Sequence, residues 1–437
     1  MDKLVLLGGR SLEGEVAISG SKNTALPLMS AAMLVDGVST LYNVPRLRDI
    51  YTYSNVLRVT GAHVHYDPET RTMHIDASRV GHFEAPYELV KKMRASFYIL
   101  GALLGRFGRA RVSLPGGCAW GPRPVNLHLE GFRALGAEIS LDRGYVVARA
   151  PASGLRGARI RFEPPSVGAT VNVLLAAVLA RGTTRLENAA MEPDVVCFGE
   201  ALNRMGARIS GLGTPVLEIE GVPELQPLLA HTPPDRIELG TYMIAAAMTR
   251  GRVRLLQAEP AHLGDFLEIF RQTGARVEVG PDWIYVEGPE VIQPVSIQTA
   301  VYPGFPTDLQ AQWTAMMTQA DGDSTVTDTI YFDRFKHVPE LLRMGAQIEV
   351  VGNRAHIRGR TRLIGAQVMS TDLRGSVSLV LAGLVAEGRT DVLRVYHLDR
   401  GYEALEVKLS ALGADIRREQ YEEFGTVVLP LEEEEQM

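Results

Sequence analysis

A Gly-Ala dipeptide followed by an alternating strand pattern recurs six times along this 437-residue chain. The six copies are TGAHVHYD, LGAEISLD, MGARISGL, TGARVEVG, MGAQIEVV and LGADIRRE, and their glycines are Gly61, Gly136, Gly206, Gly274, Gly345 and Gly413. The spacings are therefore 75, 70, 68, 71 and 68 residues. Solenoids and propellers repeat every 20–50 residues or so, and the strand-helix units of a (β/α)₈ barrel would also recur more often. The repeat excludes these architectures.

The rest of each unit also repeats. A helix of small apolar residues, such as LLAAVLARG, ends in glycine and is followed by a short strand. A second helix, such as RLRDIYTYSNVLRVTGA, has one apolar stripe, which indicates a half-buried helix whose glycine forms a left-handed cap. The predicted unit is buried helix, strand, amphipathic helix, strand, strand. Six units favour two domains of three, although spacing alone leaves a single ring of six open.

Composition narrows the class of protein. Lys and Arg number 45 against 51 Asp and Glu, a net charge of −6, so we expect no recruitment by nucleic acid or anionic membranes. Two cysteines make no disulfide framework and no zinc motif. The longest apolar stretch, VNVLLAAVLA, is too short to span a bilayer. We therefore expect a cytoplasmic protein with reduced thiols.

Polar residues stand at the start of each predicted buried helix. The segments are GSKNTALP, KKMRASFY, PPSVGATV, PPDRIELG, FPTDLQAQ and STDLRGSV. Capping is the simpler interpretation for any one helix. The set, which contains Lys22, Arg94 and Arg374, favours an anionic ligand bound at helix N-termini.

One cysteine lies in an unusual setting. Cys118 belongs to PGGCAWGPRP, a segment whose glycines and prolines exclude a helix, and Arg123 follows five residues later. A neighbouring cation tunes the acidity of a thiol, so this segment is interpreted as a functional loop that closes over a ligand. Cys197 follows helical apolar periodicity and is expected in the core. His63 and His65 share one strand face, which favours an ordinary strand surface over a metal site.

The ordered motifs GSKN, MRAS, LPGGC, RPVNLH, PSVGAT, FPTD, TDLR and DRGYE make the chain similar to the enolpyruvyl transferase family, and within it to the enzymes that use UDP-N-acetylglucosamine. The resemblance implies an α/β fold, the two-domain inverse α/β barrel of EPSP synthase, with three repeats of about 70 residues per domain. The implied domains are residues 22–232, with the Cys118 loop, and residues 1–21 plus 233–437. The active site would lie in the cleft between them.

The resemblance also implies a reaction. The enolpyruvyl group of phosphoenolpyruvate would pass to the 3′-hydroxyl of UDP-N-acetylglucosamine, with release of phosphate and without a metal or organic cofactor. The expected partners are these two small-molecule substrates, without nucleic acid or membrane, and the oligomeric state stays open. This reaction is the first committed step of bacterial peptidoglycan synthesis, which supports cell shape and division and is the target of fosfomycin. Shikimate 3-phosphate as acceptor, and a non-catalytic paralogue that binds nucleotide sugars, remain alternatives.

Residue roles follow from the matched motifs. Lys22, Arg123 and Arg400 would bind phosphoenolpyruvate, Asp308 would bind the acceptor hydroxyl and act as base, and Cys118 would be the general acid that fosfomycin alkylates. The other implied substrate-binding residues are Asn23, Arg94, Pro124, Val125, Asn126, Leu127, Ser166, Val167, Gly168, Ile330 and Arg374. Three positions depart from common family residues, namely Tyr98, Asn126 and Pro164. Asn126 and Pro164 would change contacts to the uridine diphosphate.

Overall fold

The computed structural model of the protein describes residues 1–115 and 125–422. Helices and strands alternate along the whole described chain. In residues 2–231 the elements are β1 (Asp2–Leu7), β2 (Glu13–Ala17), α1 (Lys22–Ala31), β3 (Val38–Tyr42), α2 (Arg48–Val59), β4 (His63–Asp67), β5 (Thr72–Asp76), β6 (Glu84–Ala85), α3 (Tyr87–Val90), α4 (Tyr98–Phe107), β7 (Arg109–Ser113), α5 (Asn126–Ala134), β8 (Glu138–Asp142), β9 (Tyr145–Arg149), β10 (Arg159–Arg161), α6 (Val167–Ala177), β11 (Thr183–Glu187), α7 (Pro193–Arg204), β12 (Arg208–Ser210), β13 (Val216–Glu220) and β14 (Leu229–His231).

The same alternation continues to the end of the described chain. The remaining elements are α8 (Arg236–Met248), β15 (Arg252–Leu256), α9 (Phe266–Arg271), β16 (Arg276–Val279), β17 (Trp283–Glu287), β18 (Ile297–Gln298), α10 (Gln310–Met317), β19 (Ser324–Thr327), α11 (Val338–Arg343), β20 (Ile348–Val351), β21 (Arg354–Ile357), β22 (Gln367–Met369), α12 (Leu373–Val385), β23 (Arg389–Leu393), α13 (Leu405–Ala411) and β24 (Asp415–Gln420). Short 3₁₀ turns cover Ala32–Leu34, Arg94–Phe97, Pro260–Leu263, Thr307–Leu309 and Val395–Arg400.

The described strands form six four-stranded sheets, one for each repeat. Their orders are β14-β3-β5-β4, β6-β7-β9-β8, β10-β11-β13-β12, β2-β15-β17-β16, β18-β19-β21-β20 and β22-β23-β1-β24. In each sheet the first two strands are parallel and the other neighbours are antiparallel. The parallel edge strand differs from the predicted unit, which lacked a strand at that edge of the sheet.

The chain closes its units in two groups of three. Strand β14 returns from the third unit to pair with β3 of the first, where Leu229 faces Thr40. The N-terminal strands β1 and β2 complete the sixth and fourth sheets instead of joining the first. A single ring of six units, left open by the repeat spacing, is therefore not formed.

The helix predicted to be buried is buried in every unit, because small residues let these helices approach closely. In α6, every residue from Ala169 to Ala177 is buried. Helix α4 packs on α6 through Gly101, where an added Cβ would lie 2.5 Å from the backbone oxygen of Asn172. The predicted left-handed glycines are also observed, since all six Gly-Ala glycines have φ between 90° and 104°.

Buried hydrophobic side chains form two separate clusters. One contains residues between 25 and 230, and the other contains residues between 4 and 18 and between 237 and 416. We call the parts of the protein built around them the first lobe and the second lobe. The domain boundaries 22–232 and 1–21 plus 233–437 remain a proposal, which these clusters support.

Two further expectations concern ligands and membranes. Within residues 1–115 and 125–422, no three or more His, Cys, Asp or Glu side chains are grouped so that they could hold a metal ion. His63 and His65 lie on the exposed face of β4, and the ring of His65 stacks on that of His74 across the strand pair. In the same part of the chain, no helix has the length and apolar character needed to cross a membrane.

Candidate active site

Lys22 is the first residue of α1 and points toward the second lobe. Ser21 caps the helix, since its Oγ accepts from the backbone N–H of Thr24 at 3.2 Å. The Lys22 ammonium is buried and lies 3.2 Å from Oδ2 of Asp49. Burial lowers the pKa of Lys22, Asp49 counteracts this, and Arg400 and Arg374 lower the pKa further. The sensitivity to both arginines shows that these three cations are close neighbours.

Asp49 connects the two lobes. It is the second residue of α2 and only 2% exposed, and its Oδ1 accepts from Nε of Arg400 at 2.9 Å. Arg400 ends the 3₁₀ turn Val395–Arg400 of the second lobe. One carboxylate thus contacts Lys22 from its own lobe and Arg400 from the other, and holds both cations at the cleft.

Asp308 lies between two buried arginines. Its Oδ1 accepts from Nη2 of Arg334 at 2.8 Å, and its Oδ2 accepts from Nη2 of Arg374 at 3.1 Å. Burial alone would raise the pKa of Asp308, but the charges of Arg374 and Arg334 outweigh it and hold this pKa well below its usual range. Asp308 is therefore ionised and, with both arginines in place, a weak proton acceptor.

A buried carboxylate orders the chain around Asp308. Asp328 is fully buried and accepts from the hydroxyl of Thr307 at 2.7 Å and from the backbone N–H of Ile330 at 2.9 Å. Arg334 also donates to the Thr307 hydroxyl at 2.8 Å. Ile330, predicted to bind substrate, is thereby fixed next to the segment that carries Asp308 and Arg334.

The predicted nucleotide subsite lies where α5 and α6 begin. Ser166 caps α6, with its Oγ accepting from the N–H of Ala169 at 3.2 Å, and Val167 and Gly168 form the first turn. Val125 precedes α5 and is buried, whereas Asn126 at the first position is exposed and donates weakly to Glu130 at 3.4 Å. Leu127 is half-buried against the first core.

A buried histidine joins the two helices of this subsite. His128 is 4% exposed, and its Nδ1 lies 2.9 Å from Nδ2 of Asn172 on α6. An added Cβ at Gly168 would lie 3.1 Å from the His128 ring, so only glycine fits there without displacement. Burial, assisted by the charge of Arg94, lowers the pKa of His128 to about 3, so the ring is neutral at pH 7.

Arg94 and Asn23 complete the described part of the predicted site. Arg94 begins the 3₁₀ turn before α4, is half-buried, and is close enough for its charge to act on Tyr98 and His128. Asn23 is the second residue of α1 and is half-buried beside Lys22. Arg94 thus belongs to the side of the cleft formed by α4 and α5.

The helix starts divide between capping and ionic roles. Ser21, Ser166, Asp235 and Asp372 each accept hydrogen bonds from the first turn of α1, α6, α8 and α12. Asp308 instead pairs with arginines across the site. Capping is therefore correct for these four helices, while two cations beside the caps, Lys22 and Arg374, are near enough for the charge of Arg374 to lower the pKa of Lys22.

Three predicted residues, Cys118, Arg123 and Pro124, lie outside the described residues. Cys197 is half-buried in α7, and burial raises the pKa of its thiol to about 12. Asp49 and Arg334 were missed by the sequence analysis. In the sequence, Asp49 resembles any acidic residue near the start of a helix, and Arg334 in FDRF belongs to no recognised motif. Only tertiary packing brings them into the cluster.

The arrangement suits a small ligand with several negative charges. Lys22, Arg334, Arg374 and Arg400 converge from both lobes, and the carboxylates of Asp49 and Asp308 hold them in place. Guanidinium forks match phosphate and carboxylate oxygens. The oxygens of such a ligand would replace those of Asp49 at Lys22 and Arg400, or would bind these cations in addition to Asp49.

Comparisons with known proteins agree with this geometry. The profile of the family described as EPSP synthase (3-phosphoshikimate 1-carboxyvinyltransferase) matches residues 6–409. The chain is 55% identical to the UDP-N-acetylglucosamine 1-carboxyvinyltransferase of Chloroherpeton thalassium, over 97% of this chain and 99% of that protein. It is 54% identical to the protein of the same name from Chlorobaculum parvum, over 97% and 100%.

Solved structures extend the comparison to the fold. The enolpyruvyl transferase NikO from Streptomyces tendae superposes with a TM-score of 0.86 at 28% identity, covering 95% of this chain and 98% of that one. The EPSP synthase from Acinetobacter baumannii gives 0.75 at 17% identity, covering 96% and 100%. The expected two-domain α/β fold of EPSP synthase, with six repeats, is confirmed.

Proposed function

The chain belongs to the EPSP synthase (3-phosphoshikimate 1-carboxyvinyltransferase) family, and from this premise we propose that it transfers the enolpyruvyl group of phosphoenolpyruvate to the 3′-hydroxyl of UDP-N-acetylglucosamine and releases phosphate. The observation that carries the proposal is the cationic cluster of Lys22, Arg374 and Arg400, assembled from both lobes around Asp49 and Asp308. Phosphoenolpyruvate brings both a phosphate and a carboxylate to such a cluster.

The names of the most similar relatives reported above support UDP-N-acetylglucosamine as the acceptor substrate. Proteins 54–55% identical over nearly the whole chain carry the name UDP-N-acetylglucosamine 1-carboxyvinyltransferase, whereas the EPSP synthase of known structure is only 17% identical. The nucleotide would lie along the starts of α5 and α6, against Val125–Leu127 and Ser166–Gly168. Asn126 is exposed there and offers a neutral amide in place of a carboxylate.

The chemistry assigns two proton transfers. The Cys118 thiol would give its proton to the methylene carbon of phosphoenolpyruvate, while the acceptor hydroxyl adds to the neighbouring carbon and loses its proton toward Asp308. The tetrahedral adduct keeps its phosphate and carboxylate charges, which Lys22, Arg123 and Arg400 would bind. Cleavage of the carbon–oxygen bond to phosphate then gives the enol ether, as one methyl proton returns to the Cys118 thiolate and the departing phosphate takes the proton held by Asp308.

The pairing of Asp308 refines its proposed role as base. With Arg334 and Arg374 both bound, its pKa is too low for efficient proton acceptance. Arg374 also belongs to the cationic cluster, so an arriving phosphate or carboxylate competes with Asp308 for this guanidinium. Substrate binding would thereby weaken the pairing and make Asp308 more basic at the moment the hydroxyl is present.

The proposed setting is bacterial peptidoglycan synthesis in the cytoplasm, which links the enzyme to cell shape and division and makes it a fosfomycin target. The decisive experiment measures phosphate release from phosphoenolpyruvate with UDP-N-acetylglucosamine, with shikimate 3-phosphate, or with no acceptor. Release only with the sugar nucleotide is expected. Release only with shikimate 3-phosphate would identify the other acceptor, and binding of the sugar nucleotide without release would indicate a non-catalytic paralogue.

A further inference from the structure

Glu403 forms a second ionic contact between the lobes, outside the cluster around Asp49. Its side chain is only 3% exposed, although it belongs to a loop of the second lobe. Oε1 accepts from Nε of Arg46 at 3.0 Å and lies 3.3 Å from Nη2 of Arg71. Both arginines come from the first lobe. Burial raises the pKa of Glu403, but hydrogen bonds from Arg46 and Ser19 and the charges of Arg71 and Lys408 outweigh it, so this pKa is lowered and the carboxylate is ionised.

The Arg46–Glu403 contact lies beside the Asp49–Arg400 pair, with the same spacing along both chain segments. Arg46 and Asp49 are three residues apart on the first lobe, and Arg400 and Glu403 are three residues apart on the second. The signs are exchanged, so that Arg46 meets Glu403 while Asp49 meets Arg400. A displacement of one lobe along the other by this three-residue step would bring like charges together, which disfavours that alignment.

The backbone on both sides is held in a conformation that ordinary residues adopt rarely. Arg71 has φ of 53°, and its carbonyl oxygen accepts from the N–H of Val44 at 2.9 Å. Ala404, directly after Glu403, has φ of 47°. Non-glycine residues with positive φ are uncommon, and such strain persists where the surrounding structure requires it. Here the two positions are Arg71 itself and the residue that follows Glu403.

We propose that Glu403, held by Arg46 and Arg71, is a positioning residue that sets how the two lobes meet and thereby seats Arg400 on Asp49 beside Lys22. We call Arg46, Arg71 and Glu403 the charge clamp. The identity of the anion that Arg400 receives rests on the proposed function, whereas the clamp itself does not. An ordinary solvated ion pair, the simpler interpretation, contributes little and would leave both binding and lobe approach unchanged.

The kinetic test compares Glu403→Gln with Glu387→Gln, which removes an exposed carboxylate paired with Arg362 within the second lobe. Because Arg400 would contact phosphoenolpyruvate, Glu403→Gln should raise the KM for this substrate by roughly 5- to 30-fold. The KM for UDP-N-acetylglucosamine and all constants of Glu387→Gln should stay within about twofold of wild type. Equal effects on both substrates, or none, would overturn the proposal.

Charge reversal separates positioning from a loss of folding. Arg46→Glu combined with Glu403→Arg restores an opposite-charge contact. Each single variant should raise the KM for phosphoenolpyruvate, and the double variant should bring this KM most of the way back to the wild-type value. Failure of this rescue, with both single variants impaired and folded, would contradict the clamp. Both single reversals should be impaired, because Arg46→Glu places two carboxylates together and Glu403→Arg places its guanidinium beside those of Arg46 and Arg71.

A scattering measurement tests the clamp without activity. In substrate-free protein, Glu403→Gln should increase the radius of gyration measured by small-angle X-ray scattering, and the charge-reversed double variant should return it to the wild-type value. If wild-type protein releases no phosphate, the proposed function fails while this measurement still decides the clamp. An unchanged radius of gyration in Glu403→Gln would remove the clamp whatever the activity.

Discussion

Asp49 and Arg400 are 351 positions apart in the sequence, yet Oδ1 of Asp49 accepts a hydrogen bond of 2.9 Å from Nε of Arg400. The same carboxylate lies 3.2 Å from the ammonium of Lys22. Two cations that would otherwise repel each other are therefore held together by one buried anion. The cleft thus contains an electrostatic arrangement that a phosphate or carboxylate would complete.

Asp49→Asn should make the binding of phosphoenolpyruvate more sensitive to alkaline pH. Burial and the two arginines lower the pKa of Lys22, and Asp49 is the group that raises it. Without this carboxylate the pKa falls further, so Lys22 loses its proton at lower pH and the alkaline limb of kcat/KM for phosphoenolpyruvate moves down. The measurement is the pH profile of kcat/KM, with Asp67→Asn, which removes a half-buried carboxylate from the turn after β4, as control. If the alkaline limb did not move, protonated Lys22 would not be required for the binding of phosphoenolpyruvate.

Arg334→Gln should lower kcat by about 10²-fold, the order of loss expected when a reacting group is misplaced. Arg334 binds both Asp308 and Thr307, so its removal frees the segment that presents Asp308. The pKa of Asp308 should rise, because one of its two cationic partners is lost, and the acid limb of the rate profile should move to higher pH. Single-turnover rates across pH test both effects.

Arg334→Lys is the informative partner of that variant. It keeps a positive charge but loses the fork that reaches Asp308 and Thr307 together. If charge alone matters, the lysine variant should behave like wild type; if geometry matters, it should resemble Arg334→Gln in kcat while keeping a lower acid limb. Unchanged turnover in both variants would exclude Arg334 from the site.

Much of the fold is readable in the sequence because each unit repeats the same local rules. The apolar helices and the Gly-Ala turns with left-handed glycines depend on neighbouring residues and were predicted, whereas capping was only the simpler interpretation for any one helix. The parallel edge strands were not predicted. Strand β18 has two residues and β10 has three, which is too short for an alternating pattern to be recognised.

The candidate site was predictable only in part, for a related reason. Lys22 and Arg374 were chosen because each stands at the start of a buried helix, and the structure brings them together. Asp49 and Arg334 owe their positions to contacts across the sequence, 351 residues in one case and 26 in the other. Neither has a local pattern that distinguishes it from a solvated charge on a helix or loop.

The proposed acid role of Cys118 predicts an asymmetric pair of variants. Cys118→Ala removes the proton donor and should abolish phosphate release, because the methylene carbon needs a proton as the hydroxyl adds. Cys118→Asp replaces the thiol by another acid of similar size and should keep much of the activity. Both are measured by phosphate release with saturating UDP-N-acetylglucosamine. Normal turnover by the alanine variant would rule out the acid role.

Fosfomycin should label Cys118 and leave Cys197 unmodified. Only the thiolate is a good nucleophile, and burial raises the pKa of Cys197 to about 12, so almost none of it is ionised at neutral pH. Peptide mass spectrometry after incubation at pH 7.5 or so reports the site. Cys197→Ser should retain both labelling and turnover. An adduct on the peptide that contains Cys197 would contradict the assignment of the loop thiol.

Trp313→Ala should destabilise the second lobe more than the first. Trp313 is fully buried, donates from Nε1 to the carbonyl oxygen of Val295 at 3.0 Å, and contacts the ring of Phe305 edge-on at a centroid distance of 5.1 Å. Truncation of a buried tryptophan costs about 3–5 kcal/mol of the free energy of unfolding. Because the two hydrophobic clusters are separate, this loss should fall on peptides of the second lobe in hydrogen exchange at moderate urea concentration.

The matched variant is Phe198→Ala, which removes a fully buried ring from the first cluster. Its faster exchange should appear in peptides between residues 25 and 230, with the second lobe protected as in wild type. The comparison is sensitive because the two hydrophobic clusters are separate, so that loss of a ring from one leaves the packing of the other intact. If each variant accelerated exchange equally in both lobes, the protein would unfold as one unit, and the proposed boundaries at 22–232 would not describe independent domains.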